Sequence, residues 1–219
     1  MNETPGPNHY LAAAEFVLML RQTGLYGTRV LRAMEQVPRV PFLDQRWFAL
    51  ADEDIALPIA CGQSILPPSL TALMIDALGV EPAHRVLQVG TGSGYSAAIL
   101  GRLAASVITV ERWRTLADQA HARLRGLGYD MIETVFGDGL DGHPPRAPYD
   151  RILVTCAMTA IPAGLSGQLA PGGVLVAPLG DGAGAQDIVR VVRGPEGLVS
   201  TAFSRARVEP AVSGVARRL

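Results

Sequence analysis

Apolar residues along the chain change from helical spacing to short continuous runs near residue 80. In residues 10–22 and 28–37 apolar positions recur as they do in amphipathic helices, and Pro68 begins a further predicted helix that ends near Leu78. Continuous apolar runs, typical of strands buried on both faces, then follow with mostly helical windows between them. They predict strands at Val86–Val89, Val107–Val110, Ile132–Phe136, Ile152–Val154 and Val174–Ala177. The pattern predicts a mostly parallel, doubly wound α/β sheet.

The end of the chain departs from this alternation. Asp187–Arg193 and Thr201–Arg207 have the pattern of two further strands, and the link between them is too short for a helix. Parallel neighbours need a long crossover, whereas antiparallel neighbours need only a turn. We therefore predict an antiparallel hairpin at one sheet edge. The sequence predicts an α/β domain over residues 81–219, with an N-terminal helical extension over residues 1–80 packed on it.

A glycine-rich segment, Gly90-Thr91-Gly92-Ser93-Gly94, directly follows the first predicted strand. We call it the glycine loop. Glycine lets the backbone turn sharply and approach a ligand closely, and a helix predicted from about Ser96 would direct free N–H groups toward it. Tyr95 stands where a dinucleotide fingerprint has its third glycine, so the loop fits an adenosine cofactor without a pyrophosphate better than NAD. Taken alone, the loop is equally compatible with a tight turn that binds nothing.

An acidic residue, Glu111, ends the second predicted strand and lies 21 residues after Gly90. In doubly wound folds a carboxylate at about this spacing accepts hydrogen bonds from ribose hydroxyls. A solvated glutamate at a strand end is the alternative. The coincidence with the glycine loop favours the ribose-binding interpretation.

The composition excludes several other kinds of chemistry. A chain of 219 residues with 48% hydrophobic content can bury one substantial core. The net charge is -1 and no basic stripe is present, which disfavours a nucleic-acid partner. All cationic side chains are arginine, so a Schiff-base lysine, a pyridoxal site and a Walker-type phosphate lysine are excluded.

The two cysteines and the N-terminal segment indicate the cellular compartment in which the protein is expected. Cys61 and Cys156 show neither zinc-site spacing nor a disulfide framework, so we expect no metal and a reducing cytoplasm. The apolar stretch of residues 11–20 is short and interrupted by Glu15, so neither a signal peptide nor a membrane span is expected. We expect a monomer or a weak oligomer.

Several motifs together resemble the protein-L-isoaspartate O-methyltransferase family of class I S-adenosylmethionine-dependent methyltransferases. The resemblance covers roughly residues 29–214 and is more specific than any single motif. Its motifs are Val37-Pro38-Arg39 with Pro41-Phe42, Ile55-Ala56-Leu57-Pro58-Ile59 with Gly62-Gln63-Ser64-Ile65, the glycine loop, Val110-Glu111-Arg112, Gly137-Asp138-Gly139, Ala147-Pro148-Tyr149-Asp150, Val154-Thr155, Ile161-Pro162, Gln168-Leu169, and Gly172-Gly173 leading to Pro178-Leu179-Gly180.

The resemblance implies a Rossmann-like domain that binds S-adenosylmethionine. Gly90, Thr91, Gly92, Ser93 and Gly94 would then wrap the methionyl and ribose parts of the cofactor, and Glu111 would bind the ribose hydroxyls. Asp138 would accept a hydrogen bond from the adenine amino group, and Gly139 would give the ring room. Gln88 stands where the family usually has an acid near the cofactor's ammonium group, so we expect weaker cofactor binding.

The acceptor implied by the resemblance is an isoaspartyl residue in a damaged protein or peptide, on the side formed by Gln63, Ser64, Ile65 and Leu66. Leu66 occupies the place of a family serine that faces the acceptor, and Ser64 is the nearest hydroxyl and the candidate catalytic side chain. Leucine cannot donate the missing hydrogen bond. Glu209 also departs from the family segment that lines the acceptor cleft, and it brings an anion toward an anionic substrate.

Methylation of a carboxylate needs an anionic nucleophile held in line with an activated methyl group, so no general base is expected. The resemblance therefore favours isoaspartyl repair methylation. The departures at Leu66 and Glu209 leave open a related carboxyl methyltransferase with another acceptor. Leu66 and Gln88 together leave open a non-catalytic S-adenosylmethionine-binding module. A dehydrogenase is disfavoured by Tyr95 and by the lack of a plausible acid at a hydride site.

Overall fold

The computed structural model describes residues 16–22, 27–181 and 184–216. Residues 16–22 are helical (α1), and the rest of the helix predicted over 10–22 lies outside the described residues. The next helices are Thr28–Glu35 (α2) and Pro68–Leu78 (α3). α2 ends before residue 37, where the sequence predicted its end. Val37 precedes Pro38, and a following proline disfavours the helical conformation. No helix among the described residues is long and apolar enough to cross a membrane.

A short antiparallel pair, Leu57–Pro58 (β1) and Ser64–Ile65 (β2), precedes the main sheet. The strands of the main sheet are Arg85–Val89 (β3), Ser106–Glu111 (β4), Ile132–Phe136 (β5), Tyr149–Val154 (β6), Leu169–Leu179 (β7), Gln186–Gly194 (β8) and Gly197–Ala206 (β9). The helices between them are Tyr95–Gly101 (α4), Arg114–Gly126 (α5) and Ala163–Gly167 (α6).

The main sheet has the order β5-β4-β3-β6-β7-β8-β9. All pairs from β5 to β7 are parallel, whereas β8 pairs antiparallel with β7 and β9 pairs antiparallel with β8. The predicted mostly parallel sheet with an antiparallel edge hairpin is therefore confirmed. β6, β7 and β9 begin before the ranges that the sequence predicted for them, because backbone pairing does not require a continuous apolar run.

Alternate residues of the buried strands face opposite sides of the sheet. Val86 belongs to one apolar cluster, whereas Leu87 and Val89 belong to a second cluster on the other face. The first cluster also contains Val30 and Phe42, which come from the predicted N-terminal extension. The extension thus packs on the sheet through a shared core, and the boundary near residue 80 stays a prediction.

The topology brings the loops that follow β3, β4, β5 and β6 to one edge of the sheet. The order reverses at β3, which has β4 on one side and β6 on the other, and ligands of open α/β sheets bind at such a point, beyond the carboxyl ends of the strands. The glycine loop follows β3, Glu111 ends β4, Asp138 lies two residues after β5, and Thr155 follows β6. Four distant parts of the sequence therefore meet at one cleft.

Candidate active site

A cleft opens at this edge of the sheet, between the glycine loop and the segment before the C-terminus. Its walls come from residues 64–66, which we call the acceptor wall, from the ends of the parallel strands and from the segment 209–212. The lining residues are Gln63, Ser64, Leu66, Val89, Gly90, Gly92, Val110, Glu111, Arg112, Trp113, Leu116, Asp138, Gly139, Leu140, Thr155, Cys156, Glu209, Pro210, Ala211 and Val212. A narrower groove beside it adds Ile65, Thr91, Ser93, Tyr95 and Ser96. Most of the predicted site residues thus lie together.

The glycine loop is held tightly where it leaves β3. Gly90 has a φ of +88°, and a Cβ there would lie only 2.5 Å from Oγ1 of Thr155. That hydroxyl donates to the carbonyls of Val89 (3.1 Å) and Gly90 (2.9 Å). Only glycine meets both the left-handed conformation and the close approach. Thr155 belongs to the Val154-Thr155 motif of the family resemblance, but the sequence predicted no role for it.

Glu111 is 5% exposed, and its carboxylate reaches the wall of the cleft. Oε2 accepts a hydrogen bond from the backbone N–H of Gly92 (2.9 Å), and Oε1 accepts one from the N–H of Trp113 (3.0 Å). Each carboxylate oxygen can accept more than one hydrogen bond, so both remain able to receive hydroxyl donors from a ligand. The spacing of Glu111 from the loop thus corresponds to a direct contact between the two.

Asp138 joins the cleft to the segment before the C-terminus. Its Oδ1 accepts from the N–H of Leu140 (2.9 Å), and its Oδ2 accepts from Oγ of Ser213 (3.2 Å) and from the N–H of Gly214. A Cβ on Gly139 would overlap Val89, so glycine is required there. The sequence indicated Asp138 and Gly139 but not the contacts with residues 213 and 214.

Gln88 contacts the glycine loop from within the core. It is 1% exposed, its Nε2 donates to the carbonyl of Gly90 (3.0 Å), and its Oε1 has no hydrogen-bond partner among the described residues. Gln88 is not among the described residues that line the cleft. An ionised acid at this position could not donate to the Gly90 carbonyl, so the amide gives this loop a backbone contact that a carboxylate would lack.

Ser64 and Leu66 of the acceptor wall both line the cleft, and so does the preceding residue, Gln63. Ser64 and Leu66 are two residues apart, so an extended chain directs them to the same side. Leu66 is only 9% exposed, and Ile65 between them packs into the first apolar cluster. Glu209 also lines the cleft and is exposed, and its carbonyl accepts a hydrogen bond from the N–H of Ala157 (2.8 Å).

The chemistry available in the cleft is that of binding and orientation. Burial, with Glu111 nearby, raises the pKa of Cys156 to about 12, so its thiol stays protonated at neutral pH and is a poor nucleophile. The described lining residues include three carboxylates and no histidine. Such a site suits a substrate that brings its own nucleophile, as a carboxylate does.

The comparisons with known proteins agree with this geometry. The family model described as protein-L-isoaspartate(D-aspartate) O-methyltransferase matches residues 12–213. A relative from Rhodopseudomonas palustris (strain HaA2), named protein-L-isoaspartate O-methyltransferase 2, is 47% identical over 204 residues, which are 93% of this chain and 94% of the relative. A relative from Xanthobacter autotrophicus (strain ATCC BAA-1158 / Py2), named protein-L-isoaspartate O-methyltransferase, is 48% identical and covers 93% of each chain.

A solved structure named protein-L-isoaspartate O-methyltransferase superimposes with a TM-score of 0.84 at 27% identity. The match covers 92% of this chain and 66% of that chain, so this protein spans just under two thirds of the solved relative. Both curated relatives, by contrast, are matched over nearly their whole length. The chain belongs to the protein-L-isoaspartate(D-aspartate) O-methyltransferase family.

Proposed function

We propose that this protein transfers the methyl group of S-adenosylmethionine to the carboxyl group of L-isoaspartyl residues in damaged proteins or peptides. The observation that supports this most strongly is the buried Glu111 carboxylate, which is hydrogen-bonded to Gly92 and lines a cleft that Ser64 also lines. Family membership supplies the reaction, and the cleft supplies two adjoining regions for cofactor and acceptor. In this family the methyl ester cyclises to a succinimide, which opens the route to repair.

The residues of the cleft fit the cofactor. Gly90 leaves a close backbone approach free of side chain, Glu111 would bind the ribose hydroxyls, and Asp138 with Gly139 would receive the adenine ring. When bound, S-adenosylmethionine supplies a methyl group activated by a sulfonium centre. The glycine loop needs little rearrangement to bind it, because Glu111 and Thr155 already fix its backbone.

On the acceptor side, we propose that Ser64 orients the isoaspartyl group and that Leu66 leaves the acceptor without a second hydrogen-bond donor. The substrate carboxylate is ionised at neutral pH, so the protein needs to align it rather than deprotonate it. Glu209 on the rim adds a negative charge near an anionic acceptor. Leu66 and Glu209 together favour a second candidate, a carboxyl methyltransferase whose acceptor is not an isoaspartyl residue.

The physiological setting proposed is the cytoplasm. Isolated thiols without a disulfide framework are typical of reducing compartments. The acceptor would then be a damaged cytoplasmic protein or a peptide from one, with no nucleic acid or membrane involved. A monomer or weak oligomer stays the predicted state.

Two matched peptides, one with an isoaspartyl residue and one with aspartate at the same position, test the reaction. We expect methyl ester on the isoaspartyl peptide alone, measured by mass spectrometry, and binding of S-adenosylmethionine but not NADH by calorimetry. Ester on neither peptide, with S-adenosylmethionine bound, would exclude isoaspartyl methylation and favour another acceptor or a non-catalytic module.

Replacing the ribose-side carboxylate, Glu111→Gln, should weaken S-adenosylmethionine binding about tenfold or more, because hydrogen bonds to a charged group are lost. The amide would also turn a donor toward the N–H of Gly92 or Trp113. Calorimetric dissociation constants measure the effect. Glu133→Gln is the control, since Glu133 is a half-exposed β5 residue paired with Arg146 (3.3 Å) away from the cleft. Equal affinities in both variants would argue against Glu111 as the ribose ligand.

The acceptor wall is tested by Leu66→Ser, which should raise kcat/KM for the isoaspartyl peptide about tenfold by restoring a donor. Leu66→Ala is the matched control, because it removes the same bulk without adding a hydroxyl. Ser64→Ala should lower kcat/KM by a similar factor while leaving S-adenosylmethionine affinity unchanged. Leu66→Ser and Leu66→Ala with the same rate, or Ser64→Ala with the wild-type rate, would contradict these roles.

A further inference from the structure

A buried guanidinium, that of Arg39, lies behind the acceptor wall of the cleft. Arg39 is 3% exposed and precedes the short 3-10 turn Val40–Phe42 that follows α2. It belongs to the quoted Val37-Pro38-Arg39 motif, yet it is not among the described residues that line the cleft. Its contacts therefore concern the architecture around the site rather than a bound ligand.

Four backbone carbonyls receive hydrogen bonds from this one side chain. Nη1 donates to the carbonyls of Ala51 (3.4 Å) and Glu53 (3.2 Å), and Nη2 donates to those of Ile55 (2.8 Å) and Leu66 (3.0 Å). All four acceptors belong to residues 51–66, which we call the acceptor loop. Because Nη2 donates to the carbonyls of both Ile55 and Leu66, the guanidinium connects an early part of this loop to its last residue.

The acceptor loop relies on this contact more than a regular element would. Its only strands, β1 and β2, have two residues each, and its other backbone hydrogen bonds are those of short local turns. The fork of five N–H donors on arginine can span several carbonyls at once, which a single ammonium cannot do. Arg39 makes no ion pair among the described residues, so its bonding is directed to the backbone of this loop.

The guanidinium of Arg39 stays charged at neutral pH despite its burial. Burial lowers the pKa of Arg39, while Tyr95, Asp54 and Asp52 nearby act in the opposite direction. An arginine pKa begins so high that the charge persists at neutral pH. The hydrogen bonds to carbonyls are therefore charge-assisted and stronger than neutral ones.

The turn that follows Arg39 also contacts the cofactor side. The Phe42 ring meets the ring of Tyr95, the first residue of α4 after the glycine loop, edge to face with centroids 5.5 Å apart. Burial raises the pKa of Tyr95, and the nearby Arg39 charge acts in the opposite direction. The segment 39–42 thus links the acceptor loop to the helix that follows the glycine loop.

We propose that Arg39 is a positioning residue that fixes the acceptor wall, Ser64 to Leu66, relative to the glycine loop, and so determines how the acceptor peptide binds and is aligned. The inference rests on the proposed function. Its specific consequence is a separation of effects. Loss of the guanidinium should impair use of the peptide and leave cofactor binding intact, because none of its four carbonyl partners belongs to the cofactor side.

Arg39→Met keeps much of the side-chain length and removes every donor, and Arg39→Lys keeps the charge but not the fork. We expect the peptide KM to rise about tenfold or more in Arg39→Met and by a smaller factor in Arg39→Lys, with the S-adenosylmethionine dissociation constant unchanged within about twofold. Hydrogen exchange should accelerate in residues 51–66 and not in residues 90–94. Steady-state kinetics, calorimetry and exchange measured by mass spectrometry give these values.

Arg190→Met is the matched control, because Arg190 Nε donates to a single carbonyl, that of Ala77 (2.9 Å) in the last turn of α3, outside the acceptor loop. It should leave both the peptide KM and the exchange in residues 51–66 at wild-type values. Parallel loss of cofactor and peptide binding in Arg39→Met, or a wild-type KM in Arg39→Lys and Arg39→Met, would overturn the positioning role. If Arg39→Met does not fold, the peptide KM of Arg39→Lys tests the proposal: a raised KM supports the positioning role and a wild-type KM overturns it. A wild-type protein that methylates no isoaspartyl peptide would instead refute the proposed function.

Discussion

The hydrogen bond from the N–H of Gly92 to Oε2 of Glu111 is the contact on which the site depends. It joins the loop after β3 to the end of β4, so the shape of the glycine loop and the position of the acid are determined together. Burial makes this bond costly to leave unmade, because an unpaired carboxylate in the interior would lose its solvation. The loop and its acid therefore form a preorganised unit before any ligand arrives.

A second constraint links this unit to the rest of the cleft. Thr155 at the end of β6 and Gln88 within β3 both donate to the carbonyl of Gly90, which fixes the start of the loop from two sides. On the acceptor side, Arg39 donates to four carbonyls of the acceptor loop and so fixes the backbone of a loop with little regular structure. Side-chain hydrogen bonds thus hold the backbone on both sides of the cleft, and the proposed reaction needs only that the two sides hold two reactants in line.

Much of this could be read from the sequence, since continuous apolar runs identify buried parallel strands and the hairpin link is too short for a crossover. The distance from Gly90 to Glu111 predicted a shared site, and the family resemblance predicted an acceptor side formed by Gln63, Ser64, Ile65 and Leu66. Those features are periodic or close in sequence. The domain boundary and the roles of the site residues remain predictions.

Other features leave no local pattern. The contacts of Asp138 with Ser213 and Gly214 join residues that are far apart in sequence, and nothing in either segment announces the other. The four carbonyls bound by Arg39 are backbone groups, which every residue has, so no side-chain pattern reveals them. The place of Gln88 near the cofactor's ammonium group stays a prediction, and its contact with the carbonyl of Gly90 leaves no signal in the sequence.

The most direct test of the central claim is an experimental structure with S-adenosylhomocysteine bound. The account predicts both ribose hydroxyls within hydrogen-bond distance of the Glu111 carboxylate, the adenine beside Asp138 and Gly139, and the sulfur directed toward Ser64 and Leu66. A nucleoside bound elsewhere, or one whose ribose faces away from Glu111, would contradict it.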